Sequence, residues 1–135
     1  MDVFVDTSGV VALLSTSDRN HLEATGTWAS LLELRARLVT TDLVLAETVV
    51  VARARGGFDF SVQAGDRLLR PPFEIVWIER PLIDSAWSLY RRYSDHLLSL
   101  CDCVSFALMR ERRIETAFAY DSDFEAVGFS RARAE

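Results

Sequence analysis

Four carboxylates, Asp6, Glu47, Asp102 and Asp121, carry most of the chemistry that this sequence offers. Oxygen donors gathered at one place select hard ions, Mg²⁺ or Mn²⁺, which keep waters and open coordination positions. An ion held that way can activate a water and stabilise the departing oxygen of a phosphodiester. Without a cation, crowded carboxylates raise one another's pKa. No His, Ser or Lys stands in a persuasive nucleophile-and-base arrangement. Taken singly, each acid has a plainer reading. Asp6 and Asp102 suit helix N-caps, Glu47 suits a salt-bridged helix surface, and Asp121 suits a turn. Asp123 adds a fifth candidate, equally suited to cap the helical turn after it. Four acids at successive sheet-edge positions argue for a site.

The elements that must position these acids follow from hydrophobic pattern and breakers. Val3–Val5 reads as a buried strand ending at Asp6. Thr7 or Ser8 caps the helix after it, with Val10, Val11, Leu13 and Leu14 as its apolar face. A long amphipathic helix is expected from about Arg19 to Arg37, carrying Leu22, Trp28, Leu31, Leu32 and Leu34. Leu38–Thr41 is a second strand. Thr41 or Asp42 caps a helix that holds Glu47 on its first or second turn and ends at Gly56 and Gly57. A polar helix over Ser61–Leu69 stops at Pro71 and Pro72, Glu74–Ile78 is a third strand, and Pro81 opens a helix to about Tyr93. Ser94–Leu100 reads as a loop, and Asp102 starts or caps the next helix. Thr116–Tyr120 is a fourth strand ending at Asp121, Asp123–Val127 is a helical turn, and Gly128 and Phe129 open a short fifth strand.

Strands alternating with helices imply a parallel sheet covered on both faces. In such sheets ligands bind beyond the carboxyl ends of the strands, where the strand order switches. That rule brings Asp6, Asp102 and Asp121 to one rim, with Glu47 leaning over it.

Composition narrows the alternatives. The chain has 135 residues, half of them hydrophobic, which suits one globular domain with its own core. Its formal charge of −5 argues against a passive nucleic-acid coat, but an acidic site that loads cations remains compatible with a nuclease. All fifteen basic residues are Arg, which GC-rich codon usage explains more readily than phosphate binding by guanidinium forks. Cys101 and Cys103 are too close in sequence for an easy mutual disulfide and read as reduced packing residues. With no signal-like N-terminus and no long apolar run, a cytoplasmic protein without a membrane span is expected.

Four stretches carry a family resemblance: Val3–Leu14 (VFVDTSGVVALL), Thr41–Val49 (TDLVLAETV), Leu98–Met109 (LSLCDCVSFALM) and Ala117–Phe129 (AFAYDSDFEAVGF). In this order, over nearly the whole chain, they resemble a PIN domain, and most of all the VapC-type toxins. The resemblance implies an α/β fold with a central parallel sheet of about five strands flanked by helices, as a single PIN domain over residues 1–135. It implies a divalent metal, Mg²⁺ or Mn²⁺, at the acidic rim and cleavage of RNA, single-stranded or structured. It also implies a cognate antitoxin protein and a homodimer. Asp6, Glu47, Asp102 and Asp121 match the family's acidic positions. Thr7 or Ser8 matches a hydroxyl that helps order the site, Ser105 lies near it in the third block, and Asp123 is a further supporting candidate. His96 stands where such proteins often carry a basic residue, a departure on the substrate side.

Two other classes compete. A phosphoacceptor domain also gathers acids at a strand rim, but it needs a Lys near them, and the chain has none. A non-catalytic PIN-like module that binds RNA or protein should have lost one or more acids, and all four are present. Trp28, Trp77 and Trp87 are expected in the core, and His21 and His96 as ordinary surface residues. Arg53, Arg55, Arg110, Arg112 and Arg113 suit helix C-terminal ends, with RNA or antitoxin contact as the sharper reading. The early helices expose Leu and Trp, so an apolar groove beside the acidic pocket is expected to receive an antitoxin helix or strand. The surplus of acid suggests that an antitoxin Arg or Lys inhibits by entering among the carboxylates.

Overall fold

A computed structural model describes residues 1–135. The elements run β1 (Asp2–Val5), α1 (Thr7–Leu14), α2 (His21–Glu33), β2 (Arg37–Thr41), α3 (Asp42–Gly56) and α4 (Phe58–Leu68), then β3 (Phe73–Val76), α5 (Arg80–Arg92), α6 (Leu100–Arg112), β4 (Thr116–Phe118), α7 (Asp123–Ala126) and β5 (Ser130–Arg131). The five strands form one sheet of order β3-β2-β1-β4-β5, and every neighbouring pair is parallel. The chain lays down β1, β2 and β3 in one direction, then returns to place β4 on the other side of β1. The switch in strand order therefore lies between β1 and β4, where a parallel sheet opens its binding crevice.

Why β1 occupies the centre is plain from its residues. Val3, Phe4 and Val5 are all fully buried, and successive side chains of a strand point to opposite faces. Phe4 packs with Val39, Phe106 and Phe124 in the core beneath α5 and α6. Val3 and Val5 pack with Val10, Leu31, Leu38, Leu68 and Phe118 on the opposite face. An unbroken apolar triplet is what a strand covered on both sides requires.

Several boundaries differ from the expected ones, and side-chain hydrogen bonds account for most of them. β4 stops at Phe118 because the next free amides, those of Tyr120 and Asp121, donate to the Ser8 hydroxyl at 2.9 and 3.3 Å. β3 stops at Val76, and the Ile78 amide donates to Asp42 Oδ1 at 3.2 Å. The first helix is capped by Asp6 rather than by Thr7 or Ser8, and α6 is capped by Ser99, three residues before Asp102. α4 begins at Phe58, earlier than Ser61, because Gly57 takes φ +88° and turns the chain directly out of α3. The fifth strand is Ser130–Arg131, after a turn in which Gly128 takes φ +105°. The long second helix is trimmed to His21–Glu33.

The tryptophans divide. Trp28 is half-buried and stacks on Phe73 with centroids 5.4 Å apart. Trp77 and Trp87 are 65% and 50% exposed, against the expectation of core packing. Both cysteines are free. No helix is long and apolar enough to cross a membrane.

Candidate active site

Asp6 leaves the carboxyl end of β1 with extended backbone, φ −98° and ψ 160°, and caps α1. Its Oδ2 accepts from the Ser8 amide at 3.2 Å and from the Ser8 hydroxyl at 2.7 Å. The same hydroxyl accepts from the Tyr120 and Asp121 amides, so Ser8 fastens the end of β1 to the segment after β4. Gly9 permits this closeness. A Cβ there would sit 2.2 Å from the Phe118 carbonyl oxygen.

Glu47 is placed by α3. Thr41 starts that helix, its hydroxyl accepting from the Val44 amide at 3.1 Å. Thr48, one residue beyond Glu47, meets the Thr7 hydroxyl at 3.0 Å in a buried contact between α3 and α1. Asp102 sits on the first turn of α6 in a reciprocal cap. Its amide donates to Ser99 Oγ at 3.0 Å, and its Oδ2 accepts from the Ser99 amide at 3.1 Å. Asp121 Oδ1 accepts from the Asp123 amide at 3.0 Å, which folds the loop after β4 back on itself.

All four expected acids line one cleft of about 720 Å³, together with Thr7, Ser8 and Ser99. Asp102, Asp121 and Asp123 each offer an oxygen, and these oxygens lie within 4.8 Å of one another. Asp123 thus joins Asp102 and Asp121, while Asp6 and Glu47 line the same cleft outside that close trio. Ser105 does not. Its hydroxyl is fully buried and donates to the Cys101 carbonyl within α6 at 3.1 Å.

The electrostatics follow from burial and crowding. Asp6 is raised from 3.8 to about 7, chiefly by burial; the Ser8 bonds oppose the rise, while Glu47 and Asp102 add to it. Asp102 is raised to about 6 by burial, with the Ser99 bonds opposing and the charges of Asp121 and Glu47 adding. Burial and then Asp121 raise Asp123, while His96 favours its charged form. Burial also raises the Cys101 thiol, followed by the charges of Glu47 and Asp6, which favours the protonated thiol. None of the four acids is ion-paired to an Arg; Arg55, on the cleft wall, is engaged by Asp18 at 3.0 Å. Clustered oxygen donors that no Arg pairs with fit a hard divalent cation.

Sequence reasoning missed Arg19 and Asn20, which also line the cleft; Arg55, offered for RNA or antitoxin contact, lines it too. It also missed Ser99, although the Ser-x-x-Asp spacing of Ser99 and Asp102 is a capping-box signal.

The PIN domain family matches residues 3–130. The chain belongs to the PIN-domain family. Among curated proteins it is 34% identical to the 23S rRNA-specific endonuclease VapC20 of Mycobacterium tuberculosis strain H37Rv, over 98% of this chain and 99% of that protein. The crystal structure of Mycobacterium tuberculosis VapC20, described as a toxin that cleaves the sarcin–ricin loop, superposes with a TM-score of 0.89 at 32% identity, covering 97% of this chain and 98% of that one. VapBC2 of Rickettsia felis, crystallised with a DNA fragment from its promoter, shares the fold at a TM-score of 0.72 and 12% identity, covering 97% of each chain.

Proposed function

We propose that the chain is a divalent-metal-dependent endoribonuclease, the toxin of a toxin–antitoxin pair, with ribosomal RNA as its substrate class. The observation that carries the reading is that Asp6, Glu47, Asp102 and Asp121 line one cleft and none of them is paired with an Arg. Likeness to a 23S rRNA-specific endonuclease along nearly the whole chain supports both the reaction and the substrate class.

Asp6, Glu47, Asp102 and Asp121 would hold the ion, with Asp123 beside the Asp102–Asp121 pair. When bound, a divalent ion supplies Lewis acidity toward the phosphodiester and compensates charge on the departing oxygen. The chain's own residues supply placement. Ser8 fixes the Asp6 carboxylate and the Asp121 backbone together, Ser99 fixes Asp102, and the Thr7–Thr48 contact fixes the helix that carries Glu47. RNA is a polyanion and would be repelled by bare carboxylates. Arg19 and Arg55 line the same cleft and can meet phosphates beside the scissile one, Arg55 by exchanging its pairing with Asp18.

Mg²⁺ or Mn²⁺ serves the oxygen donors equally well. The partners are a cognate antitoxin and a second copy of the chain in a homodimer, in the cytoplasm. An antitoxin Arg or Lys that enters among the carboxylates would neutralise them and occupy the phosphate path at once. The test is incubation of purified protein with ribosomal RNA and Mg²⁺ or Mn²⁺, with cut sites mapped by primer extension. One or a few discrete cuts, absent with Asp102→Asn, are expected. Intact RNA with every divalent ion tried would overturn the reading.

A further inference from the structure

The outer face of α5 carries aromatic side chains that neither core uses. Trp87 is 50% exposed and Tyr90 is 41% exposed, and their rings stack with centroids 5.4 Å apart. Residues three apart on a helix share a face, so these two form one platform. Beyond the end of α5, the rings of Tyr93 and His96 meet edge to face at 5.5 Å. Together with Arg91 and the buried Leu98, they line a second cleft of about 470 Å³.

This second cleft neighbours the acidic one along the chain: Leu98 lines it, and the next residue, Ser99, lines the acidic cleft. From Leu98 the chain passes straight into Ser99 and the reciprocal cap that holds Asp102. Exposed rings beside the Arg91 guanidinium suit one kind of molecule well: a polyanion whose units also have flat aromatic faces. Bases of a single strand stack on such rings whatever their sequence, and nearby guanidinium groups take the phosphates.

We propose that this cleft seats an unstacked nucleobase of the RNA whose phosphodiester lies in the acidic cleft, with Trp87 and Tyr90 as the stacking platform. Arg91 and His96 meet the phosphates that flank that base. The proposal rests on the ribonuclease reading of the neighbouring site and adds to it a seat that selects unpaired strand.

The test uses the full chain carrying Asp102→Asn, so that RNA is bound and not cut. Two probes are titrated with Mg²⁺ present: a 12-nucleotide single-stranded RNA of mixed sequence, and an abasic strand of the same length. Trp87→Ala and, independently, Tyr90→Ala should weaken binding of the intact strand about tenfold, within the span expected for loss of one stacked base. Trp87→Phe should restore most of the affinity. The abasic strand should bind these variants and the parent alike, and Arg91→Ala should weaken both strands. Circular dichroism checks the fold, and sedimentation checks the oligomeric state. Equal binding of the intact strand by parent, Trp87→Ala and Tyr90→Ala would overturn the proposal. So would Trp87→Ala acting only by dissociating a dimer, which would make the face a contact between copies. A parent enzyme that cuts RNA while Trp87→Ala binds normally leaves the nuclease reading intact and removes the base seat. Binding that depends on Trp87 without any cutting by the native protein does the reverse.

Discussion

The Ser8 hydroxyl donates to Asp6 Oδ2 at 2.7 Å while accepting from the amides of Tyr120 and Asp121. One small side chain thereby couples the ends of β1 and β4, where the strand order switches. Ser8→Ala should strand two amides and remove a charge-assisted bond, at a cost of about 1–3 kcal/mol. Thermal melting should fall by several degrees, and single-turnover RNA cleavage should fall by about tenfold or more through misplacement of the acids. An unchanged melt and an unchanged rate would show that Ser8 holds nothing in place.

Asp6→Asn and Asp102→Asn should abolish cleavage. Each removes one of several crowded negative charges that burial already disfavours, so melting of the metal-free protein should hold or rise. Circular dichroism and a cleavage assay on the same samples check both halves. Variants unfolded at room temperature would mean that the two carboxylates act mainly as helix caps.

The raised values at Asp6 and Asp102 fix the sign of a pH dependence. The folded, metal-free protein holds protons at these groups up to about pH 7 and 6, whereas an ordinary Asp near 3.8 has lost them. The folded state then binds more protons than the unfolded chain, and stability falls as pH rises from about 4 to 7. Denaturant unfolding in EDTA should show wild type losing stability over this window relative to Asp6→Asn. The gap should narrow when Mg²⁺ is added. A difference that grows in the opposite direction would contradict the burial assigned to Asp6.

Gly9→Ala tests the close approach of α1 to β4. The added carbon would sit 2.2 Å from the Phe118 carbonyl oxygen, so the helix must move. Overpacking of this kind costs about 1–3 kcal/mol. A lowered denaturation midpoint and reduced cleavage are expected. A fully stable, fully active variant would show that the corner is not tightly set.

Much of the candidate site's placement was legible because acids at strand ends are geometry written in sequence. The apolar triplet Val3–Val5 marks a strand covered on both faces, and Asp6 follows it directly. Glu47 could be placed because Thr41 and Gly57 bracket its helix. What stayed hidden depends on long-range partners. Tyr120 fits a strand pattern, yet its amide goes to Ser8, over a hundred positions away, so β4 ends earlier. Ser105 shares a sequence block with Asp102 but lies one turn further on, where it turns inward and bonds to its own helix. Trp77 and Trp87 have apolar neighbours, but their exposure is set by which helix face the sheet covers. Arg19 reaches the cleft from a loop before α2, and nothing in its local sequence marks that.

The most direct test of the central claim is RNA cleavage with and without a chelator, on wild type and Asp102→Asn together. EDTA should silence the wild-type protein, Mg²⁺ or Mn²⁺ added back should restore cutting, and neither ion should rescue the variant. Wild-type cutting that persists at full rate in excess EDTA, or Asp102→Asn that cuts as well as wild type, would contradict a divalent cation held by these carboxylates.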